Sequence, residues 1–310
     1  MTPRPVLGLL LMLGGMLVLP VQDGLAKLLS ETQPVSVVVW ARYTFHLAFL
    51  LPLLAWRFSW VDLRPRRPAF QLVRGVLMLL SSLFFFAALA RLPLVDALAL
   101  FFVSPLVVTA LAPVMLREHV GRARALAVVV GFVGVVVLLR PGAAVFEPVA
   151  LLAVASGTVH GVYLLITRKL AGTAAPLVTL AYSALIGTVL MSAWVLPRWV
   201  SPSTRELALM VLLGLTATLG HYLVVKAFDH APAAWLAPAG FAEIVGATLV
   251  GFMFFRQLPD VTAWLGITVV VGSGLFISLW ERSAVRVRES SPLHAPPSRT
   301  LRNGSVNRRR

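Results

Sequence analysis

The sequence predicts an all-α, polytopic membrane protein with ten transmembrane helices arranged as two inverted five-helix repeats. Hydrophobic residues make up 59% of its 310 residues and charged residues only 13%, whereas soluble domains carry about 25% charged residues. Apolar runs recur at about the 20-residue length that a helix needs to cross a bilayer. Because ten spans divide into two sets of five, the two halves would have opposite orientations, which is typical of secondary transporters.

The ten apolar runs follow one another with short polar or Pro- and Gly-containing connections. They cover residues 6–28, 35–56, 70–90, 95–115, 125–140, 147–168, 176–196, 206–226, 232–255 and 262–280. The first run is too long for the apolar core of a signal peptide and carries Gln22, Asp23 and Lys27 at its end, so it counts as a span. No connection is long enough to form a soluble domain.

The basic residues indicate a membrane orientation. The net charge is +15, from 27 Lys and Arg against 12 Asp and Glu. These charges lie in short clusters between apolar runs, which favours a membrane protein over a nucleic-acid-binding one. More of them fall on the side of the N-terminus, so we expect both termini to be cytoplasmic and the protein to lie in the inner membrane. Residues 281–310 are rich in Ser, Pro and Arg and are expected to form a disordered, basic cytoplasmic tail.

Short matches between the two halves support an internal repeat. Lys27-Leu28 followed by Pro34 recurs as Lys169-Leu170 followed by Pro176, and Pro93, Phe102 and Arg117 recur at a second constant offset as Pro232, Phe241 and Arg256. We therefore divide the chain into a first repeat at residues 1–143, a second repeat at 144–280 and the tail at 281–310.

Several segments, in this order, resemble the EamA-type carriers of the drug/metabolite transporter superfamily from about Leu7 to Trp280. These segments are Gln22–Leu28, Val39–Arg42, Val73–Gly75, Leu92–Ala97, Phe101–Leu106, Arg117-Glu118, Gly131 with Gly134, Leu139–Gly142, Gly220–Tyr222 and Leu258–Asp260. The resemblance implies a ten-span carrier of amino acids, nucleoside-like cofactors or related metabolites. Gln257 stands where members commonly carry an acidic residue, which weakens any role inferred for that turn.

Polar and aromatic residues inside the spans are the candidates for substrate binding or coupling, because buried ionisable groups are costly unless they are paired or face a cavity. The candidates are Asp23, Trp40, Arg42, His46, His160, Tyr163 and Glu243. Asp23 and Arg42 lie at similar estimated depths, so we expect them to form an ion pair. That pair would either neutralise two charges or serve as a gate or a site for a substrate carboxylate.

The other candidates leave several roles open. Glu243, near the centre of the ninth span, would carry a proton, meet a cationic substrate group or make a structural hydrogen bond. His46 and His160 would titrate or act as neutral hydrogen-bonding groups. Trp40 and Tyr163 would either pack against lipid or in the core, or stack against a planar substrate. Among other polar residues, we expect Lys27 and Arg74 to extend towards the membrane surfaces, and His221 to pack at the edge of a cavity.

The function expected from these features is secondary transport of a small polar metabolite by alternating access. An intramembrane enzyme, which would need a catalytic cluster that no motif provides, and a membrane assembly factor without transport are the alternatives. The sequence has no cysteine and no phosphate-binding loop, so we expect no cofactor, no metal and no direct use of ATP. The expected partners are a small-molecule substrate and the lipid bilayer but not nucleic acid, and a homodimer is left open.

Overall fold

A computed structural model describes residues 5–59, 61–116, 121–139, 148–170, 173–199, 201–232 and 236–289. Across these ranges the chain forms α-helices and short 3₁₀ segments, with no β-strand. The junction between the two proposed repeats at residues 143 and 144 lies outside the described residues, as do residues 117–120 and 140–142. The part of the proposed tail from residue 290 onwards also lies outside them.

Eleven α-helices make up most of the described chain. They are α1 (Pro5–Leu29), α2 (Val35–Arg57), α3 (Pro68–Leu89), α4 (Leu94–Phe101), α5 (Val103–Leu116), α6 (Arg122–Leu139), α7 (Ala150–Lys169), α8 (Pro176–Val195), α9 (Thr204–His230), α10 (Ala242–Phe255) and α11 (Val261–Glu289). Eight segments, counting α4 with α5 and Pro238–Phe255 as one each, are long and apolar enough to cross a membrane. Two shorter apolar stretches, Ala125–Leu139 and Val261–Phe276, bring the number of apolar helical segments to ten. The all-α, multi-pass architecture expected from the sequence is confirmed.

Local sequence signals set several helix boundaries. Pro68 and Pro176 lie in the first turns of α3 and α8, where proline is favoured because its missing N–H would have no intrahelical partner. At the start of α9, Ser203 Oγ accepts a hydrogen bond from the Glu206 N–H at 3.3 Å, and Glu206 Oε2 accepts one from the Ser203 N–H at 2.8 Å. This capping box satisfies two backbone donors that would otherwise be unpaired.

The fourth and ninth spans are each interrupted. The helix breaks at Phe102, between α4 and α5, and the ninth span contains a 3₁₀ segment, Ala237–Phe241, before α10 begins. The rings of Phe102 and Phe241 stack with centroids 5.2 Å apart and an interplanar angle of 25°. The two interruptions therefore meet inside the bundle, at a pair of residues that the sequence matched between the halves.

The two halves of the chain pack against each other along most of their length. The most extensive contacts join α1 with α9, α6 with α11, α3 with α7, and α2 with both α8 and α9. Glycines allow close approaches at the α1–α9 contact and between α7 and α4. A Cβ atom on Gly15 of α1 would lie 2.8 Å from Val224 Cγ2, and one on Gly157 of α7 would lie 2.3 Å from the Phe101 carbonyl oxygen. Small residues let helices approach closely in membranes, and the intertwined halves enclose the site described below.

The last helix is longer than the sequence analysis predicted. α11 continues past the expected end at residue 280 to Glu289, so residues 281–289, which we assigned to a disordered tail, are helical. Nothing in Glu281–Glu289 interrupts a helix, since the first proline beyond the span is Pro292 and proline is the strongest helix breaker.

Candidate functional site

A cavity of about 690 Å³ lies between the two halves of the bundle. Helices α1 to α4 line it from the first half and α7 to α10 from the second. Its polar and aromatic lining residues are Gln22, Asp23, Arg42, Arg74, Ser81, Ser82, Phe85, Phe86, Phe101, His160, Tyr163, Thr167, Thr179, His221, Phe228 and Glu243. Leu170, Ala174 and Pro176 also line it, so the cavity reaches the end of the bundle at which α7 connects to α8.

Hydrogen bonds between helices cross the opposite end of the bundle. Lys27 Nζ donates to the carbonyl oxygens of Leu89 and Leu92 at 2.9 and 2.7 Å, and Gln33 Nε2 donates to Glu206 Oε1 at 2.9 Å. The expectation that Lys27 extends to the membrane surface is wrong, because its side chain is buried. Its ammonium instead satisfies two carbonyls where α3 ends, beside the turn into α4.

Asp23 and Arg42 both line the cavity, but the expected ion pair between them is not formed. Gln22 lies between them: its Nε2 donates to Asp23 Oδ1 at 2.9 Å, and its Oε1 accepts from Arg42 Nε at 3.4 Å. Arg42 Nη1 donates to Ser82 Oγ at 2.5 Å. All four side chains are buried. The side-chain amide of Gln22 therefore relays the interaction, because one end of it donates and the other accepts.

Arg74 is the second arginine that lines the cavity, and its predicted location was wrong. We expected it to extend to the surface, but it is only 2% exposed. It donates to Gln71 Oε1, Tyr163 Oη and Ser183 Oγ at 3.3, 3.0 and 2.8 Å, and also to the Thr179 carbonyl. By sequence alone, Arg74 lies near the end of the third span, where a side chain can reach the membrane surface. The prediction failed because most of its acceptors lie on α7 and α8, which are distant in sequence.

Glu243 lies in the first turn of α10, directly after the interruption of the ninth span. Its carboxyl group lines the cavity and is close enough to Asp23 for the two to interact electrostatically. Within the described ranges no other side chain makes a hydrogen bond to its carboxyl group. The roles given for Glu243 above therefore stay predictions.

Four aromatic rings form a continuous row along one wall of the cavity. The centroids of Phe85 and Phe101 are 5.3 Å apart, those of Phe101 and His160 are 4.9 Å apart, and those of His160 and Tyr163 are 5.1 Å apart. Both His160 and Tyr163 therefore line the cavity. His160 Nδ1 is buried without a hydrogen-bond partner among the described residues. Such a row offers a planar ligand several faces or edges to stack against.

The remaining two predicted site residues lie away from the main cavity. His46 is buried behind it, where its ring meets that of His221 edge to face with centroids 5.6 Å apart. Trp40 Nε1 donates to Ser192 Oγ at 2.8 Å, and its indole packs on Trp199. Trp40 thus joins α2 to α8 and lies outside the cavity lining.

Gln22, Arg74 and Ser82 line the cavity, although they were not among the predicted site residues. Gln22 could have been predicted from the sequence, because it is next to Asp23 in the same apolar run. Nothing in the sequence shows that Ser82 lies beside Arg42, because residues in α2 and α3 come together only through the packing of the bundle.

Comparisons with known proteins agree with this architecture. The model of the EamA-like transporter family matches residues 6–140 and 148–279. An S-adenosylmethionine uptake transporter of Rickettsia bellii is 28% identical over 85% of this chain and 90% of its own length. Riboflavin transporters of Vibrio cholerae and Rhizobium johnstonii are 29% and 31% identical, over 91% and 78% of this chain and 96% and 80% of their own lengths.

A solved crystal structure has the same fold. It superposes with a TM-score of 0.64 at 20% sequence identity and covers 89% of this chain and 98% of its own. The matched family and the named relatives are transporters, not enzymes. Two family-model matches that span nearly all the membrane helices place the chain in this group. The protein belongs to the EamA-like transporter family.

Proposed function

We propose that this protein is a secondary carrier that moves a small metabolite through the central cavity by alternating access. The metabolite would bear a planar heterocycle and a cationic centre, as S-adenosylmethionine does. The observation that carries the proposal is one cavity holding both a row of aromatic rings and two carboxyl groups. The rings come from α3, α4 and α7, and the carboxyl groups of Asp23 and Glu243 come from α1 and α10.

Inverted repeats would provide the two states that alternating access needs. If α1, α2, α3 and α4–α5 correspond to α7, α8, α9 and α10, each principal contact between helices has a counterpart in the other half. The contact α1–α9 corresponds to α3–α7, α2–α9 corresponds to α3–α8, and α1–α10 corresponds to the contacts of α4 and α5 with α7. The two interrupted spans correspond in the same way and meet at Phe102 and Phe241. The separate family-model matches to residues 6–140 and 148–279 support the same division.

The distribution of basic residues supports an inner-membrane location with both termini in the cytoplasm. In that orientation the cavity reaches the cytoplasmic face beside the α7–α8 connection, and the hydrogen bonds of Lys27 and Gln33 close the outer face. The geometry then corresponds to an inward-facing state of the carrier.

A cationic substrate is favoured by the two carboxyl groups. Carboxylates that bind a cation through charge-assisted hydrogen bonds form some of the stronger polar contacts in proteins. Riboflavin is the second candidate, because riboflavin transporters are among the similar proteins and the row of rings would equally stack a flavin. The two candidates differ in charge, and an experiment can use this difference.

Counterflow in proteoliposomes tests the proposal. Liposomes loaded with unlabelled S-adenosylmethionine should accumulate the labelled compound well above protein-free liposomes. Glu243→Gln should raise the half-saturation concentration for S-adenosylmethionine by roughly 10-fold or more, because it removes one charge-assisted contact. It should leave any riboflavin exchange unchanged.

Glu31→Gln is the matched control, because Glu31 is an exposed acid on the turn after α1 and should have no effect. Exchange of riboflavin alone would replace the first candidate with the second. Absence of exchange for both compounds would refute the proposed substrate class.

A further inference from the structure

We propose that Arg74 forms a subsite for an anionic group of the substrate, a carboxylate or a phosphate. This inference rests on the proposed function and deepens it, because it makes the favoured substrate zwitterionic rather than merely cationic. It starts from the environment of the Arg74 side chain, which lines the cavity although it is almost fully buried.

Every observed partner of Arg74 is neutral. The acceptors are the side chains of Gln71, Tyr163 and Ser183 and the backbone carbonyl of Thr179, and the Tyr163 ring lies 5.2 Å from the guanidinium carbon. Among the residues that the structure describes, no carboxylate oxygen lies within 4.0 Å of this guanidinium. A buried charge is costly without a counterion, so the neutral acceptors hold the side chain in place without neutralising it.

The hydrogen-bonding capacity of Arg74 is also not exhausted. A guanidinium has five N–H donors, and the contacts above use Nε once, Nη1 once and Nη2 twice. One donor on Nη1 is left, on the nitrogen that meets Tyr163 Oη, and Tyr163 itself lines the cavity. An anion bound there would meet a fixed, oriented donor that carries a full positive charge, which is the group best suited to carboxylate and phosphate.

The charges of the cavity are separated by helix. The acids, Asp23 and Glu243, come from α1 and α10, and Asp23 is joined to Arg42 through Gln22. Within the described part of the chain, Arg74, on α3, has no such link to an acid. A ligand that carries both signs of charge would therefore find acids for its cationic group and the unneutralised Arg74 for its anionic group.

The test compares ligands that differ only in the anionic group. Equilibrium binding to purified wild-type protein is measured for S-adenosylmethionine and for its decarboxylated form, and for riboflavin 5′-phosphate and riboflavin. In whichever pair binds, we expect the ligand with the anionic group to bind roughly 10- to 100-fold more tightly. This ratio of dissociation constants corresponds to the loss of one charge-assisted hydrogen bond. Arg74→Gln should abolish this preference.

Because Arg74→Gln removes several buried hydrogen bonds and could impair folding, a second variant keeps the arginine. Ser183→Asp places a carboxylate at the position of an existing acceptor of Arg74 and should remove the preference by neutralising it. Ser82→Asp is the matched control, because it neutralises Arg42 in the same way and should preserve the ratio between the paired ligands.

The outcomes separate the two proposals. Equal binding of the paired ligands by the wild type, or an undiminished preference in folded Arg74→Gln or Ser183→Asp protein, would overturn the Arg74 subsite while leaving the carrier function standing. Loss of the preference in Ser82→Asp alone would assign the anion to Arg42 instead and overturn the proposal. Failure of all four ligands to bind would overturn both proposals.

Discussion

At the scale of single residues, Gln22 lies between the carboxyl group of Asp23 and the guanidinium of Arg42 and makes a hydrogen bond with each. Removing the relay leaves a buried acceptor and a buried donor unsatisfied at once, whereas a direct ion pair would not have depended on residue 22. The stability of this part of the cavity is therefore expected to depend on an uncharged side chain.

Replacement of Gln22 by Met keeps the side-chain length but removes both hydrogen bonds. We expect the free energy of unfolding to fall by about 1–2 kcal/mol. This range lies between the cost of leaving a buried polar group unsatisfied and the smaller contribution of a hydrogen bond between membrane helices. Unfolding in detergent micelles measures it. Thr158→Val is the control, because the hydrogen bond that the described residues give Thr158 is to the carbonyl of Val154 in its own helix. An unchanged free energy for Gln22→Met would show that the relay contributes nothing.

At the scale of helices and turns, the hydrogen bonds at the closed end of the bundle join elements that must separate for the cavity to open there. Gln33, on the turn between α1 and α2, bonds Glu206 in the first turn of α9. Lys27 ties α1 to the end of α3 and the turn that follows it. These contacts connect different helices, so they would break and reform once in each transport cycle.

Cross-linking this end of the bundle should stop transport. The chain has no cysteine, so Gln33→Cys with Glu206→Cys can be joined by a bifunctional, reducible thiol reagent in an otherwise unreactive protein. Counterflow should fall to the level of protein-free liposomes and return after reduction. Ser59→Cys with Asp62→Cys is the matched control, because these residues bond within one turn and their cross-link should leave transport intact. Full transport by the cross-linked Gln33–Glu206 pair would contradict this role.

At the scale of the whole molecule, apolar run length predicted the helices well, because the bilayer imposes one length on every span. It located α1 to α3 and α7 to α9 closely. Run length alone did not place the break at Phe102, although Pro105 lies three residues later and cannot donate a hydrogen bond to the Phe101 carbonyl. It also ended α11 early, because the composition changes before the helix ends. The cavity was harder to predict. Asp23, His160 and Glu243 stand out as polar residues in apolar runs, but the neighbours of Arg42 and Arg74 depend on how distant helices pack.

The orientation of the whole protein can be tested with single cysteines. Cysteine at Glu31, Pro93 or Ser201 should react with an impermeant thiol reagent added to intact cells, and cysteine at Arg66 or Arg122 should react only after the membrane is opened. This result follows from the excess of basic residues on the cytoplasmic side. The reverse pattern would invert the orientation and make the observed cavity outward-facing.

The central claim is that one cavity is reached from one face of the membrane at a time and that substrate changes which face. A single cysteine at Met78, which lines the cavity, measures this directly in sealed vesicles of known orientation. Without substrate, an impermeant thiol reagent should modify it from the cytoplasmic face only. Addition of S-adenosylmethionine or riboflavin, whichever is exchanged, should speed modification from the outer face at least several-fold. Equal modification from both faces without substrate, or an outer-face rate that substrate does not change, would contradict alternating access.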